Sequence, residues 1–443
     1  MRYIADLHIH SKYSRACSAN LTPSNLAAWA RTKGIDILAT GDFTHPKWLA
    51  ELEDKLAPAE DGLFRLKKKF EPEDGDQAYA AAPAPAGGRE VRFILSTEVS
   101  CIYKKGGRTR RLHLVVLVPG FAAVRKIRAA LEKLDCNLNS DGRPILGLDA
   151  KEIVKIALAA DPRSLVVPAH AWTPWFSVFG SESGFDSLEE CFEELTPEIH
   201  AIETGLSSDP PMNWRLSKLD QVMLISNSDA HGVRNLGREA NAFDLDEPSY
   251  DAIAGILRRR DHARFLYTIE FFPEEGKYHF DGHRNCGILF SPKETRKHNS
   301  LCPVCGKRLT VGVMNRVEEL ADRPEGSVPA KAIPSMHMVP LEEIIADALG
   351  VGANASSVEK EYLRLVERGG SEFDILLELS PEELSSFTPP MILEGILRVR
   401  EGRLKITPGY DGVFGKIQIF TPEEREKGPS PGEPAEVNQM KLF

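Results

Sequence analysis

Asp6, His8 and His10 alternate with Leu7 and Ile9 near the start of the chain. In an extended segment successive side chains point to opposite faces, so the three polar residues share one face and the two apolar residues the other. Two imidazoles and a carboxylate at a strand end begin a metal site. A histidine pair on an exposed strand is the plainer alternative. Ligand types recurring at equivalent places decide between them: Asp42 and His45 in Thr-Gly-Asp-Phe-Thr-His, Glu98, His113, His170, Glu203, and Asp229 with His231 in Ser-Asn-Ser-Asp-Ala-His. Histidines placed at random would not follow strand ends in this way.

The elements that must position them are apolar, strand-like segments at 2–7, 35–40, 91–97, 112–118, 165–168, 199–203 and 222–226. Helical patterns run between them at 24–33, 122–134, 150–160, 212–219 and 249–259. Thr22 before Pro23 is a cap followed by a first-turn proline, and Gly34 is a stop. Strands mostly separated by helices predict an α/β fold with a parallel, seven-stranded barrel, whose site gathers at the carboxyl ends of the strands. Asp6 is then expected to orient one of the histidines, and His200 to be structural. The Ala-, Pro- and Gly-rich stretch between Glu71 and Glu90 reads as a flexible insertion.

At 443 residues the chain is too long for one ordinary core. It shows neither an apolar run fit for a membrane span nor a signal pattern, so no membrane association is expected. Seven cysteines, three of them crowded into one window, favour metal binding in a reducing cytoplasm over disulfides. The net charge of −10 argues against a protein that coats nucleic acid non-specifically. Local basic clusters remain at Lys104, Lys105, Arg108, Arg110 and Arg111, at Arg258–Arg260, and at Lys293, Arg296 and Lys297.

Downstream, Cys302-Pro-Val-Cys305 has knuckle spacing, and His283 and Cys286 repeat the same gap earlier in the chain. One histidine and three cysteines make a ligand set for a structural zinc, with His279 and His298 as competitors for the histidine place. Further helices are expected at 341–348, 357–367 and 390–400, and a basic strand at 403–406. Gly409, Gly412 and Gly415 punctuate a loop that can approach phosphates by its backbone or simply turn. Residues 423–438 have the composition of a disordered tail. The expected division is 1–270 barrel, 271–322 zinc module, 323–422 a mainly helical DNA-contacting domain, and 423–443 tail.

The motifs Asp-Leu-His-Ile-His, Gly-Asp-Phe-Thr-His, Glu98, His113, His170 and Ser-Asp-Ala-His resemble those of the PHP (polymerase and histidinol phosphatase) superfamily over residues 1 to about 270. The resemblance implies a distorted seven-stranded β/α barrel with two or three divalent ions (Zn, Mn or Fe, with Mg possible) that cleaves phosphate esters. By position, His8, His10, Glu98 and Asp229 would hold one ion. Glu98 would bridge to a second held by His113 and His170, and His45 with His231 would hold a third. Ala16 stands where the family often has a further histidine, and Phe43 and Thr44 separate Asp42 from His45.

Barrel, zinc module and the Gly-Tyr-Asp-Gly-Val-Phe-Gly-Lys segment together resemble the endonuclease Q family. That implies a nucleoid-associated enzyme cutting double-stranded DNA 5′ of deaminated bases (hypoxanthine, uracil, xanthine) and abasic sites. A PHP-type exonuclease or small-molecule phosphoesterase, and a non-catalytic zinc-bearing DNA-binding scaffold, are the alternatives. Reading a base inside a duplex calls for extrusion into a pocket. Ser207, Ser208 and Asn227 are the expected donors, and Trp172, Trp175, Phe176 and Phe179 the expected stacking groups. The terminal Gln439-Met440-Lys441-Leu442-Phe443 resembles the peptide by which bacterial repair enzymes bind the sliding clamp, with Gln439, Met440, Leu442 and Phe443 as anchors.

Overall fold

The computed structural model describes residues 1–71 and 90–427. The core of the expected insertion and residues 428–443, with the peptide Gln439–Phe443, lie outside the described residues; the start of the expected tail is instead a short helix, Pro422–Lys427. Among those described, no helix is long and apolar enough to cross a membrane.

The first helix, Pro23–Lys33, forms as its ends dictate. The Thr22 side chain accepts the Asn25 N–H, and Gly34, at φ 89°, turns its own N–H back to the carbonyls of Ala30 and Arg31. It lies beside a sheet framed by β1 (Arg2–Asp6), β2 (Ile37–Ala39), β3 (Arg92–Lys105), β4 (Arg108–Val118) and β5 (Leu165–Pro168), followed in the chain by β6 (Ala201–Glu203) and β7 (Met223–Ile225). Three further strands, β8 (Ala240–Asp244), β9 (Phe265–Glu270) and β10 (Ser335–His337), extend it beyond β1.

The sheet is mixed rather than parallel. β1, β2 and β3 are mutually parallel, but β4 runs antiparallel to both β3 and β5, and β8 is antiparallel to β1. The reason is local. Gly106 and Gly107 both adopt positive φ and turn residues 92–118 into one long hairpin, leaving no helix between its strands. β6 and β7 form a separate parallel pair. Single bonds tie its carboxyl end to the main sheet: Ala171 N–H to the Glu203 carbonyl (2.9 Å), Asp229 N–H to that of His8 (2.9 Å), and His10 N–H to that of Ala230 (3.1 Å). The whole is consistent with a distorted α/β barrel. The helix expected over 212–219 is a short Pro210–Asn213 helix and a 3₁₀ turn, Ser217–Gln221; the Arg215 carbonyl accepts the N–H groups of Asp322 and Arg323 instead.

The C-terminal region is mostly helical, with Leu341–Leu349, Ser356–Gly369 and Pro390–Arg400 its longest elements. Lys33, at the end of the first helix, makes a 2.6 Å ion pair with Glu372, both side chains buried. Glu372 also accepts the Tyr362 hydroxyl (2.7 Å) and the Leu341 N–H (3.0 Å). Breaking such a pair from one side strands a buried charge. Lys33→Met should therefore lower unfolding free energy by about 3–5 kcal/mol, and Lys33→Met/Glu372→Gln, which removes the stranded charge but keeps an acceptor for Tyr362 and Leu341, should recover part of the loss. Urea titration followed by tryptophan fluorescence measures both, with Trp29 stacked on Tyr362 as a local reporter.

Candidate metal centre

Seven of the eight expected ligands converge: His8, His10, Glu98, His113, His170, Asp229 and His231. Glu98, in the middle of β3, meets His113 Nδ1 (2.9 Å) and His170 Nε2 (3.2 Å) with Oε1, and His10 Nε2 (3.3 Å) and Arg143 Nη1 (3.0 Å) with Oε2. Asp229 Oδ1 lies 3.0 Å from His10 Nε2, 3.7 Å from His8 Nε2 and 3.6 Å from His231 Nδ1. Three groups thus gather ligand atoms closely enough for a metal ion: His8, His10 and Glu98; Glu98, His113 and His170; His10, Asp229 and His231. Asp42, His170 and Asp229 all hold left-handed backbone conformations (φ 51°, 29° and 46°). Such conformations are uncommon for residues with a side chain and concentrate at functional sites.

Two carboxylates turn the histidines. Both oxygens of Glu203 lie 3.0 Å from His8 Nδ1, and Glu203 also accepts the His170 N–H (2.8 Å) and Asn227 Nδ2 (2.9 Å). Asp42 Oδ1 meets His10 Nδ1 (3.1 Å), while Oδ2 accepts the Ser11 N–H, the Ser11 hydroxyl and the Ser14 hydroxyl. Both residues stand at strand ends, but they orient ligands rather than join the cluster. Asp6 does not orient a histidine. It accepts the N–H groups of Ser228 and Gly237 (3.1 Å each) and fixes the turn that carries Asp229.

The electrostatics show a site built for cations. Burial alone would neutralise His8 and His10, yet Glu203 and Glu98 around the first, and Asp42, Asp229 and Glu98 around the second, hold both well above the usual imidazole range. Burial opposes ionisation of Glu98 and Asp229 too, and the neighbouring cations outweigh it and keep both carboxyls low. For His113 burial wins and takes the imidazole down to about 4. His8 Nε2, His10 Nε2 and Asp229 Oδ1 are buried and converge, and none has a hydrogen bond. Ring nitrogens facing carboxylate oxygens with nothing between them fit divalent ions.

His45 stands apart from the three groups. It is the N-cap residue of the helix Pro46–Lys55, and its ring stacks on Tyr13 at 4.4 Å. Arg143 was not foreseen: it comes from an irregular loop with no periodicity to betray it. Its position depends on Gly142, where a Cβ would meet Asp42 Oδ2 and Ser14 Oγ at 2.4 Å and push the loop off the site.

Several residues expected to read a base are instead braces. Asn227 is buried; its Oδ1 accepts the Leu7 N–H (2.8 Å) and Asn241 Nδ2 (2.9 Å), and its Nδ2 holds Glu203. Ser208 donates to the Thr204 carbonyl, Trp172 donates Nε1 to Asn213, and Phe179 packs against Trp172. Ser207 and Phe176 are half-buried and Trp175 is 42% exposed. Phe176 lies 4.8 Å from the His113 ring. The basic cluster before His113 is partly internal: Arg110 donates to the Gly184 carbonyl and stacks on Phe185, and Lys105 pairs with Glu193.

Away from the barrel, His283, Cys286, Cys302 and Cys305 bring four ligand atoms within 4.8 Å of one another. The competitors are elsewhere: the His298 ring stacks on Phe290, and His279 is buried beside Phe280. Burial works against a Cys302 thiolate, but the N–H groups of Cys305 and Val304 bring its thiol down to about 7. A turn of backbone N–H groups aimed at sulfur suits a thiolate ligand. The glycine loop does not offer its amides to phosphate. Gly409, Gly412 and Gly415 donate to the carbonyls of Glu274, Lys277 and Glu275 (2.8–3.0 Å).

A family model described as MJ0043 C-terminal domain matches residues 340–403. The chain is 28% identical to the uncharacterized protein YqxK of Bacillus subtilis over 425 residues, covering 94% of this chain and 98% of that protein. It is 32% identical over 266 residues to the uncharacterized protein MJ0043 of Methanocaldococcus jannaschii, covering 58% of this chain but only 32% of that protein, so it spans about a third of the archaeal relative's length. Among solved structures, the lesion-specific endonuclease PfuEndoQ from Pyrococcus furiosus is 31% identical with a TM-score of 0.81, over 97% of this chain and 98% of that one. Endonuclease Q in complex with a 27-mer duplex substrate with an abasic lesion at the active site is 32% identical with a TM-score of 0.80, over the same shares. Likeness of that identity along nearly the whole of both chains settles the kinship: this chain belongs to the endonuclease Q family.

Proposed function

We propose that the protein is a metal-dependent, lesion-directed DNA endonuclease that hydrolyses the phosphodiester 5′ of deaminated bases and abasic sites. One observation carries this reading above a general phosphoesterase. The likeness to a chain bound to lesion-bearing duplex runs through barrel, His/Cys module and helical region alike. The metal cluster alone would suit any phosphate ester. We assign residues 1–270, 271–322 and 323–422 to catalysis, zinc binding and DNA contact.

In this reading His8, His10, Glu98 and Asp229 hold one divalent ion and Glu98, His113 and His170 a second, while His231 completes a third with His10 and Asp229 in place of His45. The donor set suits zinc, manganese or iron. When bound there, such ions supply Lewis acidity and charge neutralisation at the phosphoryl group. The chain's own residues do the positioning. Glu203 and Asp42 accept hydrogen bonds from the Nδ1–H groups of His8 and His10, so that the Nε2 protons are the ones displaced by a bound cation and both Nε2 lone pairs meet it at the cluster. Arg143 holds Glu98 with one nitrogen and keeps further donors for a phosphate oxygen. Ser207, Trp175 and Phe176 line the approach of an extruded base, with Asn227, Ser208 and Trp172 fixing the wall behind them. The terminal peptide is assigned to a sliding clamp on its sequence pattern alone.

Chelated protein should cut neither substrate, and divalent metal should restore cleavage of a duplex with one deoxyinosine but not of a small phosphomonoester. Hydrolysis of the monoester with the lesion duplex untouched would overturn the reading. The His/Cys module is assigned one structural zinc through His283, Cys286, Cys302 and Cys305. Cys302→Ser should release one zinc equivalent and leave the barrel ions in place. Metal analysis on the purified variant checks this, and an unchanged zinc count would contradict it.

A further inference from the structure

The loop Gly409–Gly415 carries the most exposed large apolar side chain among the described residues: Phe414, at 73%. Its base is held tightly. The three glycine amides bond to backbone carbonyls of 274–277, Tyr410 and Val413 bond to each other, and the Phe280 N–H reaches the Gly409 carbonyl at 3.0 Å. The Asp411 carboxylate takes the Arg284 N–H (2.7 Å) and the Thr310 hydroxyl. A Cβ on Gly409 would fall 2.4 Å from the Gly276 carbonyl oxygen, and one on Gly415 2.0 Å from that of Glu274, so the loop fits only because both are glycine. An apolar ring is therefore presented to water from a rigid mount.

Lys277 Nζ sits 5.7 Å from the Phe414 ring and 5.7 Å from the Tyr278 ring. Tyr278 meets Trp175 edge-on at 6.0 Å, and Trp175 is itself exposed. The next residue, Phe176, packs on His113 of the metal cluster. Phe176, Trp175 and Tyr278, with Lys277 between Tyr278 and Phe414, thus lead from the histidine cluster towards Phe414. Aromatic faces with cations hold bases and phosphates together, and an apolar wedge on a firm base separates stacked bases.

We propose that Phe414 is the wedge that enters the duplex at the lesion and fills the stack from which the damaged nucleotide is drawn, with Lys277 on the adjoining phosphate. The proposal rests on the nuclease reading above and adds a residue and a role to it. Extrusion costs unstacking energy in a duplex and almost none in a single strand, so the wedge matters only for duplex substrate.

The test compares Phe414→Ala, Phe414→Leu and the parent on one deoxyinosine oligonucleotide, single-stranded and paired. Phe414→Ala should lose about tenfold or more on the duplex and stay within about threefold of the parent on the single strand. Phe414→Leu, still apolar, should recover part of the duplex rate. A 2-aminopurine placed next to the lesion should brighten when parent protein binds in the absence of metal, and not with Phe414→Ala. Equal duplex rates for parent and Phe414→Ala, or equal losses on both substrates, would overturn the wedge while leaving the nuclease reading intact. A parent that cuts neither substrate would overturn the nuclease reading itself.

Discussion

Asp229→Asn abolishes cleavage of a lesion-bearing duplex, by more than about a thousandfold, while the protein stays folded. The substitution removes a negative charge from the point where His8, His10 and His231 converge, and it removes little else. Asparagine has nearly the same volume, and it is the other residue that tolerates the left-handed backbone at this position. The Asp229 N–H still reaches the His8 carbonyl, and its carbonyl still accepts from Arg238. Circular dichroism and the zinc content of the His/Cys module should therefore match the parent, while single-turnover cleavage should not. Asp229→Ala would confuse the two effects, because alanine is strained at this φ.

Glu203→Gln should cost about 10–100-fold in metal affinity and in rate, as loss of a carboxylate behind a ligating histidine usually does. Glutamine can still accept the His170 N–H with its oxygen. It cannot hold His8 Nδ1 with two anionic oxygens, so the imidazole loses both its fixed tautomer and the charge that makes it basic. The signature is that excess metal restores part of the rate, because the ligands themselves remain. Titration of chelated protein with divalent metal, followed by cleavage at each concentration, separates this orienting role from a purely structural one, which metal would not rescue.

The metal cluster was legible because it obeys a local rule. Strand ends come at intervals that a sequence shows, and His8, His10, His170 and Asp229 follow them closely, while Glu98 and His113 lie mid-strand because both strands run on past the expected ends into the hairpin. The His/Cys module was legible from spacing alone, and the first helix from Thr22, Pro23 and Gly34. What was hidden depends on contacts between distant segments. Asp42 and Glu203 are ligand types at strand ends, and only the fold shows that they face the far side of a histidine ring. Arg143 reaches Glu98 from a loop of no recognisable type, across 45 residues of sequence. Polar and aromatic residues beside a site suggest contact with substrate, which is why the sequence points to Asn227 as a donor and Trp172 as a stacking ring. Burial makes them supports for Glu203 and for the 170–180 loop. The parallel sheet failed where two glycines turned 92–118 into a hairpin, and where 240–244, which no alternation marked as a strand, added itself antiparallel to β1.

The most direct test of the account is to map the products from an end-labelled duplex carrying a single deoxyinosine. The account predicts one cut, 5′ of the lesion, leaving a 3′-hydroxyl and a 5′-phosphate, requiring divalent metal and absent with Asp229→Asn. A ladder of fragments shortened from the ends, cutting of undamaged duplex at the same rate, or an Asp229→Asn variant that cuts like the parent would contradict it.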